Sequence, residues 1–148
     1  MTDLLLPPPG WPRVRRRTLS IAAALAALAL LGLPQLAQAL QVKPYTAQAF
    51  DEAVKANRPV AVHFRTSWCT VCKAQQVLLD QMQKKAEPGY ELTVLAVDFD
   101  KDLVARQRHK TKERSTLISY VGAVEKARLE GSADDKRLRA VLKAALVK

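Results

Sequence analysis

Apolar positions in this chain change their spacing from segment to segment, and each change predicts an element. Val60-Ala61-Val62-His63-Phe64 is apolar at all but one position, as a strand covered on both faces would be, and Leu92 to Val97 reads the same way. Between them Val77, Leu78 and Met82 recur at helical spacing, which predicts a helix from about Cys69 to Lys85, closed by Pro88-Gly89. Thr46 predicts the cap of an earlier helix reaching about Ala56, with Phe50 and Val54 inward and Asn57-Arg58-Pro59 as its stop. Downstream the pattern predicts a helix from Asp102 to about Lys112, then a hairpin of Thr116–Val121 and Glu125–Glu130 turning at Gly122-Ala123. Ser132 predicts the cap of a last helix, with Asp134 and Asp135 in its first turn and Leu138, Val141, Leu142 and Leu146 on its inner face. The sum is one helix followed by β-α-β-α-β-β-α, an α/β domain whose small central sheet is covered by helices on both sides.

The front of the chain follows other rules. Met1 to Pro12 is rich in proline; Arg13, Arg15, Arg16 and Arg17 then form a positive cluster, followed by the apolar run Ile21–Leu33 and the small residues of Ala37-Gln38-Ala39. That order predicts a secretory signal peptide over residues 1–39, cleaved after Ala39, and a folded domain over 40–148. The apolar run of 13 residues is short of the roughly 20 that span a bilayer. An uncleaved inner-membrane anchor is the rival reading. Arg15-Arg16-Arg17-Thr18-Leu19 is also a weak match to a twin-arginine export signal, with Thr18 where a bulky apolar residue is usual.

A chain of 148 residues, 49% of them hydrophobic, has enough apolar surface for one core. Charge adds little about partners. Of 24 Lys+Arg and 14 Asp+Glu, four and one lie in 1–39, so 20 and 13 remain in the domain, a net charge of +7. The basic run from Arg106 to Arg114 has no interleaved aromatic residue on which a base would stack, so a solvated helix face is expected and no nucleic-acid partner.

Both cysteines lie in Trp68-Cys69-Thr70-Val71-Cys72-Lys73. Three readings compete: a structural staple, half of a metal site, or a disulfide made and broken in turnover. A cross-link this short removes little entropy from the unfolded chain, which counts against the staple. Two thiolates are half of a zinc site, and neither an H-x-x-H nor a second cysteine pair completes it, so no metal ligands and no cofactor are expected. The redox reading has local chemistry in its favour. Cys69 opens a helix, where unpaired N–H groups and the positive dipole end favour a thiolate, which makes it the attacking sulfur. Cys72, one turn further in on the same face, is placed to resolve a mixed disulfide.

A C-x-x-C directly after a buried strand and opening a helix is a redox signature, and from about Thr46 onward the chain resembles the thioredoxin superfamily, especially its exported bacterial members. Trp68-Cys69-x-x-Cys72-Lys73 matches the active-site motif, Asp98-Phe99-Asp100 the acidic end of the next strand, Ser115-Thr116 the cis-proline-threonine position and Gly131 a glycine facing the site. The resemblance implies a thioredoxin-like three-layer α/β/α fold with a small mixed central sheet. It implies a periplasmic thiol-disulfide oxidoreductase, with reduction the expected direction and oxidase or isomerase work the near alternative. Cys69 would be the nucleophile and Cys72 the resolving thiol, with Trp68, Arg114, Ser115 and Gly131 lining the client surface. The partners implied are client proteins with disulfides or thiols and an inner-membrane electron donor, met by a monomer. A binding module without catalysis, or a copper chaperone, is the alternative.

Three positions depart from that family. His63 stands where a buried carboxylate is frequent, and an imidazole there is a candidate proton acceptor for Cys72. Ala96 stands where thioredoxin has the lysine that pairs with that carboxylate. Ser115 replaces the cis-proline; a cis bond before a non-proline residue costs about 3 kcal/mol, so trans is expected. Arg114, just before it, aligns with a residue facing the disulfide that is usually uncharged; a guanidinium there would favour the Cys69 thiolate.

Overall fold

The computed structural model describes residues 39–147, so the expected signal peptide and its basic and apolar segments lie outside the described residues, save for Ala39 itself. The domain contains β1 (Gln41–Pro44), α1 (Ala47–Lys55), β2 (Pro59–Arg65), α2 (Thr70–Lys84) and β3 (Thr93–Asp98). It continues through α3 (Leu103–Arg108), β4 (Thr116–Val121), β5 (Val124–Leu129) and α4 (Asp135–Ala144). Across the sheet the order is β1, β3, β2, β4, β5. The first three run parallel, and β4 and β5 each run antiparallel to the strand before them in that order. This is the three-layer α/β/α arrangement with a mixed sheet that the pattern and the resemblance imply.

Strand alternation divides the core in two. On one face Val60, Val62 and Phe64 of β2 pack with Phe50 and Ala53 of α1, Leu95 and Val97 of β3 and Ala105 of α3. On the other, Ala61 packs with Leu79 and Met82 of α2, Val94 of β3 and Leu138, Val141 and Leu142 of α4. β2 is flanked by strands and covered on both faces, so its near-continuous apolar run reports a central position.

Several expectations are corrected. β1 is an edge strand that the pattern does not announce, because it is four residues long and half of it is Lys43 and Pro44. The inner face of α2 is Cys72, Gln75, Leu79 and Met82, while Val77 is exposed; Gln75 is a polar residue on that buried stripe. α3 stops at Arg108, four residues early. His109 caps its end and turns inward, so Arg106 to Arg114 is not one helical face. The N-cap of α4 is Asp134, whose carboxylate accepts from the Arg137 N–H at 2.8 Å; Ser132 lies just before it and accepts from the Asp134 N–H.

At the β4–β5 turn, Gly122 has φ +55°, and a Cβ there would come within 2.7 Å of the Asn57 side-chain oxygen. The positive φ favours glycine, and any Cβ would also have to displace the Asn57 side chain. The outer edge of β5 carries Glu125, Lys126 and Arg128, with Arg128 bridged to both Glu125 and Glu130.

Candidate active site

The two cysteines sit where β2 hands over to α2. Cys69 is the N-cap of α2, and its sulfur accepts the Cys72 N–H at 3.2 Å in the way a serine or aspartate oxygen does at other helix starts. The Ser115 hydroxyl lies 3.4 Å from the same sulfur. Burial alone would raise the Cys69 thiol. The Cys72 thiol, the Ser115 hydroxyl, the Cys72 N–H and the Arg114 guanidinium all hydrogen-bond toward it, and together they lower it to about 7. For Cys72 burial dominates, and beside the Cys69 sulfur the thiol is pushed above its ordinary range. The environment therefore separates the pair, with Cys69 losing its proton first.

Around the sulfurs the other residues singled out by sequence fall into two groups. Trp68, 57% exposed, donates its indole N–H to the Asp100 carboxylate at 2.9 Å, and the Arg114 guanidinium lies over its ring at 4.4 Å. Arg114 is thus folded over the site rather than turned away with the basic run. Ser115 meets the Cys69 sulfur from the loop that also carries Arg114, and the Gly131 N–H donates to the Ser115 carbonyl at 3.2 Å. No described peptide bond is cis, so Ser115 follows a trans bond, with φ at +59°. For a residue bearing a Cβ that left-handed conformation costs on the order of 1 kcal/mol, and it persists because neighbouring groups hold it.

His63 is fully buried, and its Nε2 lies 3.0 Å from Gln75 Oε1. The Gln75 amide nitrogen donates to the Ser115 carbonyl at 3.0 Å and the Ser132 carbonyl at 2.7 Å, so its oxygen must face the imidazole and accept from Nε2–H. That fixes the tautomer and leaves Nδ1 as the bare nitrogen, buried with no hydrogen-bond partner. Burial, against the Gln75 hydrogen bond, lowers the imidazole to about 4, so it is neutral at pH 7. Any proton it accepts there would go to Nδ1. Ala96, paired with His63 across β2 and β3, lines an open cleft with Pro44, Arg65 and Thr66 in the place expected for a lysine.

Gln75 is the site residue that sequence reasoning passed over. Its one signal was a polar residue a turn after Cys72 on the face that also carries Leu79 and Met82. His109, the second histidine, belongs elsewhere: Tyr45 and Tyr120 hydroxyls meet its two ring nitrogens at 3.2 and 3.0 Å, and Phe50 and Phe64 approach it edge-on. Among the described residues no three His, Cys, Asp or Glu side chains converge on one point. A metal would need ligands from outside this set.

Comparison with known proteins agrees with this geometry. The sequence model of the Thioredoxin family matches residues 41–144. The Trxlp of Edwardsiella tarda EIB202, a crystal structure, is 34% identical; the match covers 69% of this chain and 98% of that one with a TM-score of 0.63. A mutant thioredoxin from Halobacterium salinarum NRC-1 superposes with a TM-score of 0.59 over 79% of this chain and 98% of its own, at 17% identity, a likeness of fold alone. Thioredoxin Y of the rice chloroplast, Oryza sativa subsp. japonica, is 27% identical over 108 residues; the match takes in 72% of this chain and spans 63% of the rice protein's length. With the family model covering most of the chain and the cysteine pair set at the start of α2, the chain belongs to the thioredoxin family.

Proposed function

We propose that this protein is a thiol-disulfide oxidoreductase that works chiefly as a disulfide reductase in the periplasm. The observation that carries the reading is the split between the two sulfurs: Cys69 at a helix N-cap with its thiol lowered to about 7, and Cys72 behind it with its thiol raised. The Cys69 thiolate attacks a client disulfide, forming an S–S bond to one client sulfur and releasing the other as a thiolate. Cys72, on losing its proton, attacks the Cys69 sulfur. The Cys69–Cys72 disulfide forms, the second client thiolate leaves, and two electrons have passed to the client. An outside dithiol returns the protein to its reduced form, and an inner-membrane donor facing the periplasm is the partner this assigns. Trp68 with Arg114 offers the client an apolar platform with a positive edge. Reduction of insulin disulfides by the dithiol form tests the activity; its absence would favour a binding module.

Export rests on the order of residues 13–39, a basic cluster, an apolar run and the Ala37-x-Ala39 pattern. No described helix is long and apolar enough to cross a membrane. N-terminal sequencing of protein recovered from the periplasm should read Leu40 first; recovery with residues 13–33 intact would assign an anchor instead.

Arg114 sets the potential in this reading. Arg114→Ile should raise the Cys69 thiol above about 7, because a cation that favours the thiolate is lost. The reduced form is then less stable, so the couple becomes more reducing, by roughly 10 mV at pH 7 for a tenfold change in acidity. Titration of the thiolate absorbance and equilibration with glutathione give both quantities; an unchanged pair of values would remove Arg114 from the mechanism.

A further inference from the structure

We propose that Gln75 is a positioning residue of the disulfide site: its side chain, backed by His63, holds the Ser115 loop so that the serine hydroxyl points at the Cys69 sulfur. The inference rests on the reading of Cys69 as the attacking thiol and adds the device that keeps its neighbour in place.

A proline at this point would fix φ covalently. Ser115 has no such restraint and sits at φ +59°, a conformation a free serine leaves readily. Three hydrogen bonds hold it. Its carbonyl accepts from the Gln75 amide at 3.0 Å and from the Gly131 N–H at 3.2 Å, and its hydroxyl meets the Cys69 sulfur at 3.4 Å. Of the two bonds to its carbonyl, only that from Gln75 ties the loop to α2, the helix that carries both cysteines. The second Gln75 amide hydrogen goes to the Ser132 carbonyl at 2.7 Å, which ties in the segment that follows Gly131. One planar amide therefore joins three parts of the site.

The amide cannot turn over. Its orientation is set by the Ser115 and Ser132 carbonyls, which can only accept, and behind it the His63 Nε2–H occupies the Gln75 oxygen at 3.0 Å, both residues being fully buried. Flipping the amide would set its oxygen against two carbonyls and leave those buried acceptors unsatisfied. A buried glutamine with both amide hydrogens and its oxygen committed is a specified part, whereas an apolar residue on this face of α2 would pack equally well against Leu79.

The sulfur reads the result. Facing Cys69 are the Cys72 thiol and N–H, the Ser115 hydroxyl and the Arg114 guanidinium. Two of these groups, Arg114 and Ser115, belong to the loop that Gln75 anchors. Releasing the loop withdraws neutral and charged stabilisation together.

The test uses the reduced protein and the pH dependence of Cys69 alkylation by iodoacetamide. Gln75→Met keeps length and apolar packing and removes both donors. It should raise the Cys69 titration from near pH 7 by about one unit, so that alkylation at pH 7 slows about five-fold. Ser115→Ala should move the same titration in the same direction, and Gln75→Met placed on Ser115→Ala should add less than it does alone, because part of the Gln75 effect runs through the Ser115 hydroxyl. A Gln75→Met protein with lowered thermal stability but an unmoved Cys69 titration would overturn the proposal, as would full additivity of the two changes. Should Gln75→Met fail to fold, the wild type decides by amide exchange: slowly exchanging Gln75 side-chain hydrogens support the clamp, and hydrogens exchanging at the rate of an exposed amide overturn it. Failure of the redox reading itself is separately visible as a wild-type dithiol form that does not reduce insulin disulfides.

Discussion

Cys69→Ser should abolish insulin-disulfide reduction, by at least ~10³-fold as expected for loss of a nucleophile, while leaving thermal stability unchanged or slightly raised. The two halves of that expectation come from one position. Cys69 caps α2 by accepting the Cys72 N–H, and a serine oxygen makes that cap at least as well. The hydroxyl, however, is not ionised near pH 7 and cannot form a mixed disulfide. Cys72→Ser should behave differently. The first attack remains, the resolving step is lost, and a covalent adduct between Cys69 and the client accumulates and is released by dithiothreitol. Turnover that persists in Cys69→Ser, or an adduct that forms through Cys72 instead, would reverse the assignment of roles.

Stability should fall steeply as pH drops from 6.5 to 4. His63 and His109 are both buried and both held at about 4, chiefly by burial, with Arg108 and Arg128 adding to the effect at His109. In the unfolded chain each takes up a proton near its ordinary value of 6.5. Between those two values the unfolded state binds more protons than the native one, so acid favours unfolding. The contribution is fully present above pH 6.5 and is gone below about 4. Relative to neutral pH, each imidazole costs on the order of 3 kcal/mol of stability once the pH is below about 4, and the two losses together rival the ~5–15 kcal/mol by which a domain is ordinarily stable. Asp51 and Glu87, held low by Arg108 and Arg139, act in the same direction at still lower pH. Urea unfolding at pH 7 and 4.5 measures the loss. His109→Phe should lower stability at pH 7, since Tyr45 and Tyr120 lose their shared partner, and should flatten the pH dependence. Equal stability of the wild type at the two pH values would contradict the burial argument for both residues.

What could be read from sequence was whatever depends on neighbours a few residues away. The cap at Thr46, the buried run of β2, the Gly122 turn and the position of Cys69 at a helix start are all local, and all stand in the structure. What escaped depends on distant segments. His109 leaves the basic run because Phe50, Phe64 and Tyr120, from three different elements, enclose it. Gln75 is buried because its partners come from loops 40 and 57 residues further on. Helical spacing alone does not say which of two apolar stripes meets the sheet, and α2 turns Leu79 inward while Val77 is exposed. The departures at His63 and Ser115 were visible as residue types, but the glutamine that links them was not, because nothing in a linear pattern shows that one amide spans both.

The two outer strands have a consequence for how clients can be held. A sheet that ends in free backbone donors and acceptors invites another chain to add a strand. Here one border is β1, four residues with Lys43 and Pro44, the latter lacking an N–H to offer. The other is β5, where an incoming strand would have to strip water from Glu125, Lys126 and Arg128 and disturb the Arg128 bridges to Glu125 and Glu130. Both borders thus discourage backbone zippering, whether by an unfolded client or by a second copy of the chain. In the reductase reading proposed above, a polypeptide client is unfolded or partly so, which makes it the species most inclined to zip. Guarded borders leave the loops around Cys69 as the place where it is held, so that it departs when the mixed disulfide is broken instead of remaining as a sixth strand.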